Sequence, residues 1–217
     1  MPADLAVPSV SDFELTGDGA APAWERTAWQ ALSALRDGRS AYATRAKVLY
    51  STKGLYFLVD CEDRQLACSN LPDGADLWKE DVVEAFLWPD PSQRLYFEYE
   101  ISPLGAQLLL LVPQHDGAFH GWQVWHHEGE RLMRAKTAVR GGPKAAQAAV
   151  TGWSAEFFVP FALLRGLGNV PPARGTLWRA NVYRIDYDDG APRSWAWDPR
   201  ASETFHEYWN FGTLRFE

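Results

Sequence analysis

Apolar and polar residues alternate with a period of two along much of the chain, which predicts β-strands. The clearest case is Leu95–Ile101, where every second residue is apolar and Glu98 and Glu100 lie between them. Because successive side chains of a strand point to opposite faces, this segment is predicted as a half-buried antiparallel strand. Its apolar face packs on the core and its two carboxylates share an outer face.

Shorter segments of the same kind recur, separated by Gly and Pro turns. The segment KVLYSTKGLYFLVDCED predicts a hairpin with a four-residue loop. Residues 24–35 are the exception, because apolar residues at three- and four-residue steps predict a short amphipathic helix or helical turn. We therefore predict an all-β chain: an antiparallel β-sandwich of immunoglobulin-like or jelly-roll type, with one short N-terminal helix, forming a single domain over residues 1–217.

Charge and composition narrow the choice of partner. The net charge of −7 and the absence of a dense Lys or Arg cluster argue against nucleic acid. The longest apolar run, residues 108–112, is too short to span a membrane. The N-terminus lacks the pattern of a secretory signal, so the chain as given is expected in the cytoplasm, or outside it if a leader was removed. Cys61 and Cys68 lack zinc-site spacing.

Tryptophan is unusually abundant, with eleven in 217 residues, and more of these rings are present than a core requires. The segment LWKEDVVEAFLWPD places Trp78 in a loop and Glu84 on the strand that follows. A sugar ring offers an apolar face for stacking on an indole and hydroxyl groups for hydrogen bonds to a carboxylate. Taken alone, Trp78 could instead pack under its loop and Glu84 could pair with a nearby Arg. Together with the motifs that follow, the pair predicts a carbohydrate-binding site, with oligo- or polysaccharide ends as the partner.

The order of the motifs resembles the family 9 carbohydrate-binding modules, from about residue 18 to residue 217. After an early Trp29 and the hairpin, the segments that carry the resemblance are WKEDVVEAFLWPD, YFEYEISPLG, GWSAEFFVPFALL, WRANVYRID, SWAWDP and FHEYWNFGTLRF. The resemblance implies a β-sandwich that holds a terminal sugar between two tryptophans and performs no catalysis.

Residue by residue, the resemblance implies Trp78 as one stacking ring and Glu84 as a hydroxyl acceptor. The second ring comes from SWAWDP, where Trp197 is preferred to Trp195. In WRANVYRID two residues match polar positions of the family, Asn181 and Arg184. Arg184 is expected either to contact sugar or to neutralise Glu84 or Glu98.

Two further expectations follow from the resemblance. Sugar-binding members tend to place Arg and Asn where this chain has Glu98 and Glu100, so the hydroxyl contacts and the ligand differ. The family often carries structural calcium, although no cofactor is required for binding. Carboxylates near strand ends are the calcium candidates: Asp60, Asp63, Asp186 and Asp188.

Two alternative functions remain open. Glu98 and Glu100 are a pair of carboxylates such as a glycan hydrolase uses, but an open sheet face would not shield a general acid. Related sandwiches also bind haem or act as interaction modules. Common nucleophile, zinc and nucleotide motifs are missing from the sequence, which favours a binding domain.

Overall fold

Two β-sheets packed face to face make up the computed structural model, which describes residues 2–35, 42–200 and 204–217. The predicted antiparallel sandwich is confirmed. The strands in chain order are β1 Asp4–Val7, β2 Gln30–Ala31, β3 Ser33–Ala34, β4 Thr44–Tyr50, β5 Gly54–Glu62, β6 Val82–Trp88, β7 Leu95–Ile101, β8 Gln107–His115, β9 Ala118–Phe119, β10 Gln123–Val124, β11 Arg134–Arg140, β12 Gly152–Pro160, β13 Leu177–Asp186, β14 Arg193–Ala196 and β15 Gly212–Phe216.

The larger sheet has the strand order β1-β15-β13-β6-β7-β8-β10, with β14 paired to β13, β3 paired to β14 and β9 paired to β8. The smaller sheet has the order β11-β12-β5-β4-β2. The predicted hairpin forms β4 and β5 of the smaller sheet. β1 and β15 pair in parallel, whereas the other strand pairs are antiparallel. No helix in the described ranges is long and apolar enough to cross a membrane.

A helix does not form over residues 24–35, but the alternative, a helical turn, is present where this segment begins. A single 3₁₀ turn, Pro22–Arg26, is followed by the short strands β2 and β3. Trp24, Leu32 and Leu35 are buried, as one face of a helix would be, but each packs in a different cluster. The apolar spacing therefore reflects three separate contacts of an extended chain and not one helical face.

Apolar side chains cover both faces of both sheets. Phe57, Phe97 and Trp153 belong to the core between the sheets. A second cluster, which includes Phe86 and Phe211, lies on the outer face of the larger sheet. A third packs the N-terminal segment on the outer face of the smaller sheet. The central strands are consequently buried on two sides.

The predicted half-buried character of Leu95–Ile101 is wrong for the same reason. The strand forms as expected, with Glu98 and Glu100 on one face. That face is not open to solvent, since Glu98 is 4% exposed and Glu100 is fully buried. The covered outer face of the larger sheet is where the candidate site lies.

Candidate functional site

A cavity of about 570 Å³ lies on the outer face of the larger sheet. Its floor is formed by side chains from three adjacent strands, and the strand register places them: Glu84 of β6 pairs with Glu100 of β7, and Phe86 pairs with Glu98, which pairs with Leu110 of β8. Three carboxyl groups therefore lie side by side at the bottom of one pocket. Its volume is within the range of small-ligand sites.

Aromatic rings continue from one segment to the next along the wall of the cavity. Trp78 meets Trp122 edge to face, with centroids 5.1 Å apart. Phe119 lies 5.9 Å from Trp122 and stacks on His206 at 4.2 Å. Trp122 and Phe119 are 46% and 45% exposed, so their surfaces are open to a ligand. We call these four residues the aromatic wall.

A hydrogen bond on one side and a hairpin turn on the other fix the position of the aromatic wall. The loop that carries Trp78 is fixed by Tyr187, whose hydroxyl donates a hydrogen bond of 2.9 Å to the Trp78 carbonyl. On the other side, a tight turn at Asp116 and Gly117 joins β8 to β9, and both residues have positive φ. This is the geometry of a two-residue hairpin turn, and it directs Phe119 back towards the cavity.

The three glutamates are held in an environment that favours their neutral form. Burial raises the pKa of Glu84, Glu98 and Glu100 well above the ordinary value of 4.5, and repulsion among the neighbouring carboxylates adds to the effect. Within the part of the chain that the structure describes, Glu98 Oε2 and both carboxyl oxygens of Glu100 have no well-formed hydrogen bond, and the polar groups that approach them are each other and the Trp78 backbone. Buried polar atoms are normally paired, so these three oxygens mark the pocket as a place for a polar ligand.

His206 does not neutralise this group. Its Nδ1 lies 3.9 Å from Glu98 Oε2 and shares a hydrogen bond of 2.6 Å with the Tyr96 hydroxyl. Burial lowers the pKa of His206 to about 4. The imidazole is therefore neutral near pH 7, and the contact with Glu98 is not an ion pair.

The structure separates the tryptophans that the sequence analysis grouped. Trp78 lines the cavity beside Glu84, as expected. Trp197 instead lies in the core between the sheets and is 7% exposed, so it cannot be the second stacking ring. The indole fits there because residue 212 is a glycine. A Cβ at that position would lie 2.6 Å from Trp197 Cζ3. Trp195 lies at the edge of the cavity but is 1% exposed, and the Arg184 guanidinium lies 4.9 Å from its ring.

Asn181 and Arg184 are also structural. Asn181 is fully buried, and its amide exchanges hydrogen bonds with the backbone of Asp198. Arg184 lies on the opposite face of the larger sheet from Glu84, because its strand partner is Val83. The prediction that Arg184 contacts sugar or neutralises Glu84 or Glu98 is therefore wrong.

Arg184 instead ties the two sheets together. One guanidinium nitrogen donates to Asp63 at 3.1 Å and to Asp186 at 2.6 Å. The second terminal nitrogen, Nη1, donates to Thr44 Oγ1 and to the Glu62 carbonyl in the smaller sheet. Both carboxylates are as fully buried as the arginine, so removing one partner would leave an uncompensated charge in the interior.

Three of the four calcium candidates form one cluster. Carboxylate oxygens of Asp63, Asp186 and Asp188 lie within 4.8 Å of one another. Burial raises the pKa of Asp63 to about 6 and also raises the pKa of Asp186. Asp188 Oδ1 is buried and has no hydrogen-bond partner within the described residues. Asp60 lies apart from the cluster, in ion pairs with Arg45 and Arg140.

Sequence reasoning missed three members of the wall: Phe119, Trp122 and His206. A usable signal existed for Phe119, since Asp116-Gly117 between two apolar segments is the strongest short-range hairpin pattern. Nothing local indicates that Trp122 meets Trp78, because the contact joins segments 44 residues apart in sequence. His206 reaches the site from the loop before β15.

Comparisons with known proteins agree with this architecture. Residues 16–107 match the family described as "Carbohydrate family 9 binding domain-like", which confirms the resemblance seen in the motifs. The matched segment includes Trp78 and all three glutamates. No curated protein matches the sequence.

Solved structures with the same fold cover nearly the whole chain. A protein from Bacteroides uniformis ATCC 8492, with a provisional assignment as carbohydrate-binding, aligns over 100% of both chains with a TM-score of 0.80 and 18% identity. A family 9 module from Caldicellulosiruptor kristjanssonii in complex with cellotriose aligns over 99% of this chain and 93% of its own, with a TM-score of 0.66 and 14% identity. Its glucose complex gives a TM-score of 0.67 at 14% identity over 99% and 95%.

The buried glutamates make stability depend on pH. Their pKa values are raised in the folded state, so the stability they contribute is complete below about 4.5 and is lost as pH rises through the folded values. We expect Glu98→Gln/Glu100→Gln to unfold at a higher temperature than the native chain near pH 8, by about 2–4 °C per kcal/mol of relieved repulsion. The advantage should shrink towards about pH 5.

Thermal unfolding across that pH range measures this effect, with Glu14→Gln as the control because Glu14 is 92% exposed. Parallel pH profiles for the native chain and the double variant would contradict the expectation.

Proposed function

We propose that the chain binds a saccharide in the cavity on the outer face of the larger sheet and does not transform it. The observation that carries the proposal is the meeting of the aromatic wall with three buried carboxyl groups in one pocket of about 570 Å³. A sugar has complementary surfaces for both, since its C–H face packs on an indole and its hydroxyls bond to carboxyl oxygens. The family match and the carbohydrate ligands of the similar structures support the same class of partner.

The mode of stacking differs from a clamp between two parallel rings. A sugar ring held between two indoles needs about 3.5–4.0 Å of contact distance on each side, or a separation of about 7–8 Å. Trp78 and Trp122 are 5.1 Å apart and meet edge to face. They therefore offer one continuous surface, on which a sugar lies with its hydroxyls directed towards Glu84, Glu98 and Glu100.

Replacing the exposed rings tests this arrangement. We expect Trp78→Ala and Trp122→Ala each to weaken saccharide binding by about 0.5–1.5 kcal/mol, or about two- to thirteenfold, because each removes part of the stacking surface. Titration calorimetry with glucose and cello-oligosaccharides measures the change. Trp209→Ala is the matched control, since Trp209 is 48% exposed but does not line the cavity.

Loss of affinity in Trp209→Ala with none in Trp78→Ala or Trp122→Ala would contradict the proposed site. Absence of heat with every saccharide would contradict the proposed function.

A glycan hydrolase is the second candidate, and the burial of the glutamates favours it more than the sequence suggested. A shielded general acid with a raised pKa is present, contrary to the expectation of an open face. Hydrolysis also needs an ionised carboxylate as base or nucleophile, whereas burial favours the neutral form of all three.

We therefore expect no release of reducing sugar from oligosaccharides over long incubation. Turnover by the native chain that is lost in Glu98→Gln, with binding retained, would establish the hydrolase instead.

We further propose that Asp63, Asp186 and Asp188 hold a structural calcium ion. The three carboxylates are oxygen ligands of the kind Ca²⁺ prefers. Arg184 pairs with Asp63 and Asp186, and Arg64 pairs with Asp188 Oδ2, but Asp188 Oδ1 is buried and has no partner within the described residues. Calcium would add positive charge where burial now disfavours ionised aspartate.

Calcium should then raise the unfolding temperature, with a gain of about 2.7 kcal/mol at a concentration one hundred times the Kd. Asp188→Asn should abolish this gain, whereas Asp60→Asn should preserve it because Asp60 lies outside the cluster. Equal unfolding temperatures in calcium and in EDTA would contradict the assignment.

A further inference from the structure

In the part of the chain that the structure describes, the carboxyl groups lining the cavity outnumber the cations that line it. Glu84, Glu98 and Glu100 line the same pocket, and all three are at least 96% buried. Among the lining residues that the structure describes, only Arg193 carries a permanent positive charge, and it pairs with Asp189. Arg184 points to the opposite face, where Asp63 and Asp186 hold it. Within the described residues, the charge of the three glutamates is therefore left to bound protons or to a ligand.

The unpaired oxygens have the stoichiometry of an ammonium group. Three buried carboxyl oxygens lack a well-formed hydrogen bond within the described residues, one on Glu98 and two on Glu100, and these two carboxyl groups approach each other. A protonated amine offers three N–H donors from one atom, whereas a hydroxyl or an N-acetyl amide offers one. Hydrogen bonds between charged partners are also roughly twice as strong as neutral ones. One ammonium could bond to these oxygens from a single charged atom, whereas a neutral sugar would need a separate hydroxyl for each and would form weaker bonds.

The aromatic wall favours the same kind of ligand. Indole faces attract cations as well as sugar C–H groups, and Trp78 already has the Lys79 ammonium 5.7 Å from its ring. Phe119 and Trp122 extend this surface at the mouth of the cavity. A sugar ring with a positively charged substituent can stack on the aromatic wall and place its charge against the glutamates.

We propose that this cavity selects saccharides that carry a free, protonated amino group, as in oligomers of a 2-amino sugar. The inference rests on the proposed carbohydrate-binding function and names its ligand class. The ammonium lies against Glu98 and Glu100 while the sugar ring packs on the aromatic wall. Glu84 bonds to a neighbouring hydroxyl.

Binding of such a ligand is coupled to proton release. Burial raises the pKa of the unliganded glutamates well above the usual value, and an ammonium in contact with them lowers that pKa, so binding releases protons at a pH between the free and bound pKa values. The other titratable or charged groups that face the trio are Asp76, Tyr96, Tyr183, Tyr187, Arg193 and His206. Near pH 7 the His206 pKa of about 4 keeps that ring neutral, so the released proton comes from the glutamates.

Titration calorimetry with three β-linked tetrasaccharides tests the proposal on the full chain. The probes are a tetramer of glucosamine, its fully N-acetylated counterpart and cellotetraose. We expect the glucosamine tetramer to bind about tenfold tighter or more than either neutral sugar. In Glu98→Gln/Glu100→Gln the preference should disappear, while Glu14→Gln should keep it. Titrations in two buffers of different ionisation enthalpy should show proton release for the glucosamine tetramer alone, a readout that needs no variant.

The outcomes separate this proposal from the function on which it rests. If cellotetraose or the N-acetylated tetramer binds as tightly as the glucosamine tetramer, amino-sugar selection is wrong and carbohydrate binding stands. If no saccharide binds, both are wrong. If choline binds as tightly as the glucosamine tetramer, the site recognises ammonium without regard to sugar, and the proposal is again overturned.

Discussion

The covering of the outer face of the larger sheet is the constraint on which the site depends. In a sandwich with one solvated face, Glu84, Glu98 and Glu100 would be ordinary surface carboxylates. Here Trp78, Phe205 and other residues of the surrounding loops pack over that face and remove the glutamates from water. Burial changes their acid–base behaviour and leaves oxygens of Glu98 and Glu100 without partners in the described structure.

The larger sheet separates two clusters of buried polar groups, which differ in whether their charges are paired. On its inner face, Arg184 joins Asp63 and Asp186 and hydrogen bonds across to the smaller sheet, so the charges are paired within the protein. On its outer face, the glutamates have no such partner among the described residues. The inner group stabilises the fold, whereas the outer group costs stability that, among the described residues, no cation offsets. Such a cost is typical of a functional site.

The strands could be predicted from the sequence because their period of two is local, and β6, β7 and the hairpin of β4 and β5 lie where the pattern places them. Burial could not be predicted in the same way. The alternation around Glu98 indicates which side chains share a face, but only distant loops decide whether that face meets water. Trp78 was predicted correctly from its position in a loop and from the family resemblance. Trp197 was predicted from the same resemblance, but it packs in the core. Trp122 joins the site through a contact that depends on the whole topology.

The most direct test of the central claim, that the aromatic wall and the three glutamates form one saccharide site, is a crystal structure of the chain with a bound oligosaccharide. We expect one sugar ring in van der Waals contact with Trp78 or Trp122 and a polar ligand atom within hydrogen-bond distance of Glu98 or Glu100. A saccharide bound elsewhere on the surface, with this cavity filled only by water, would contradict the claim.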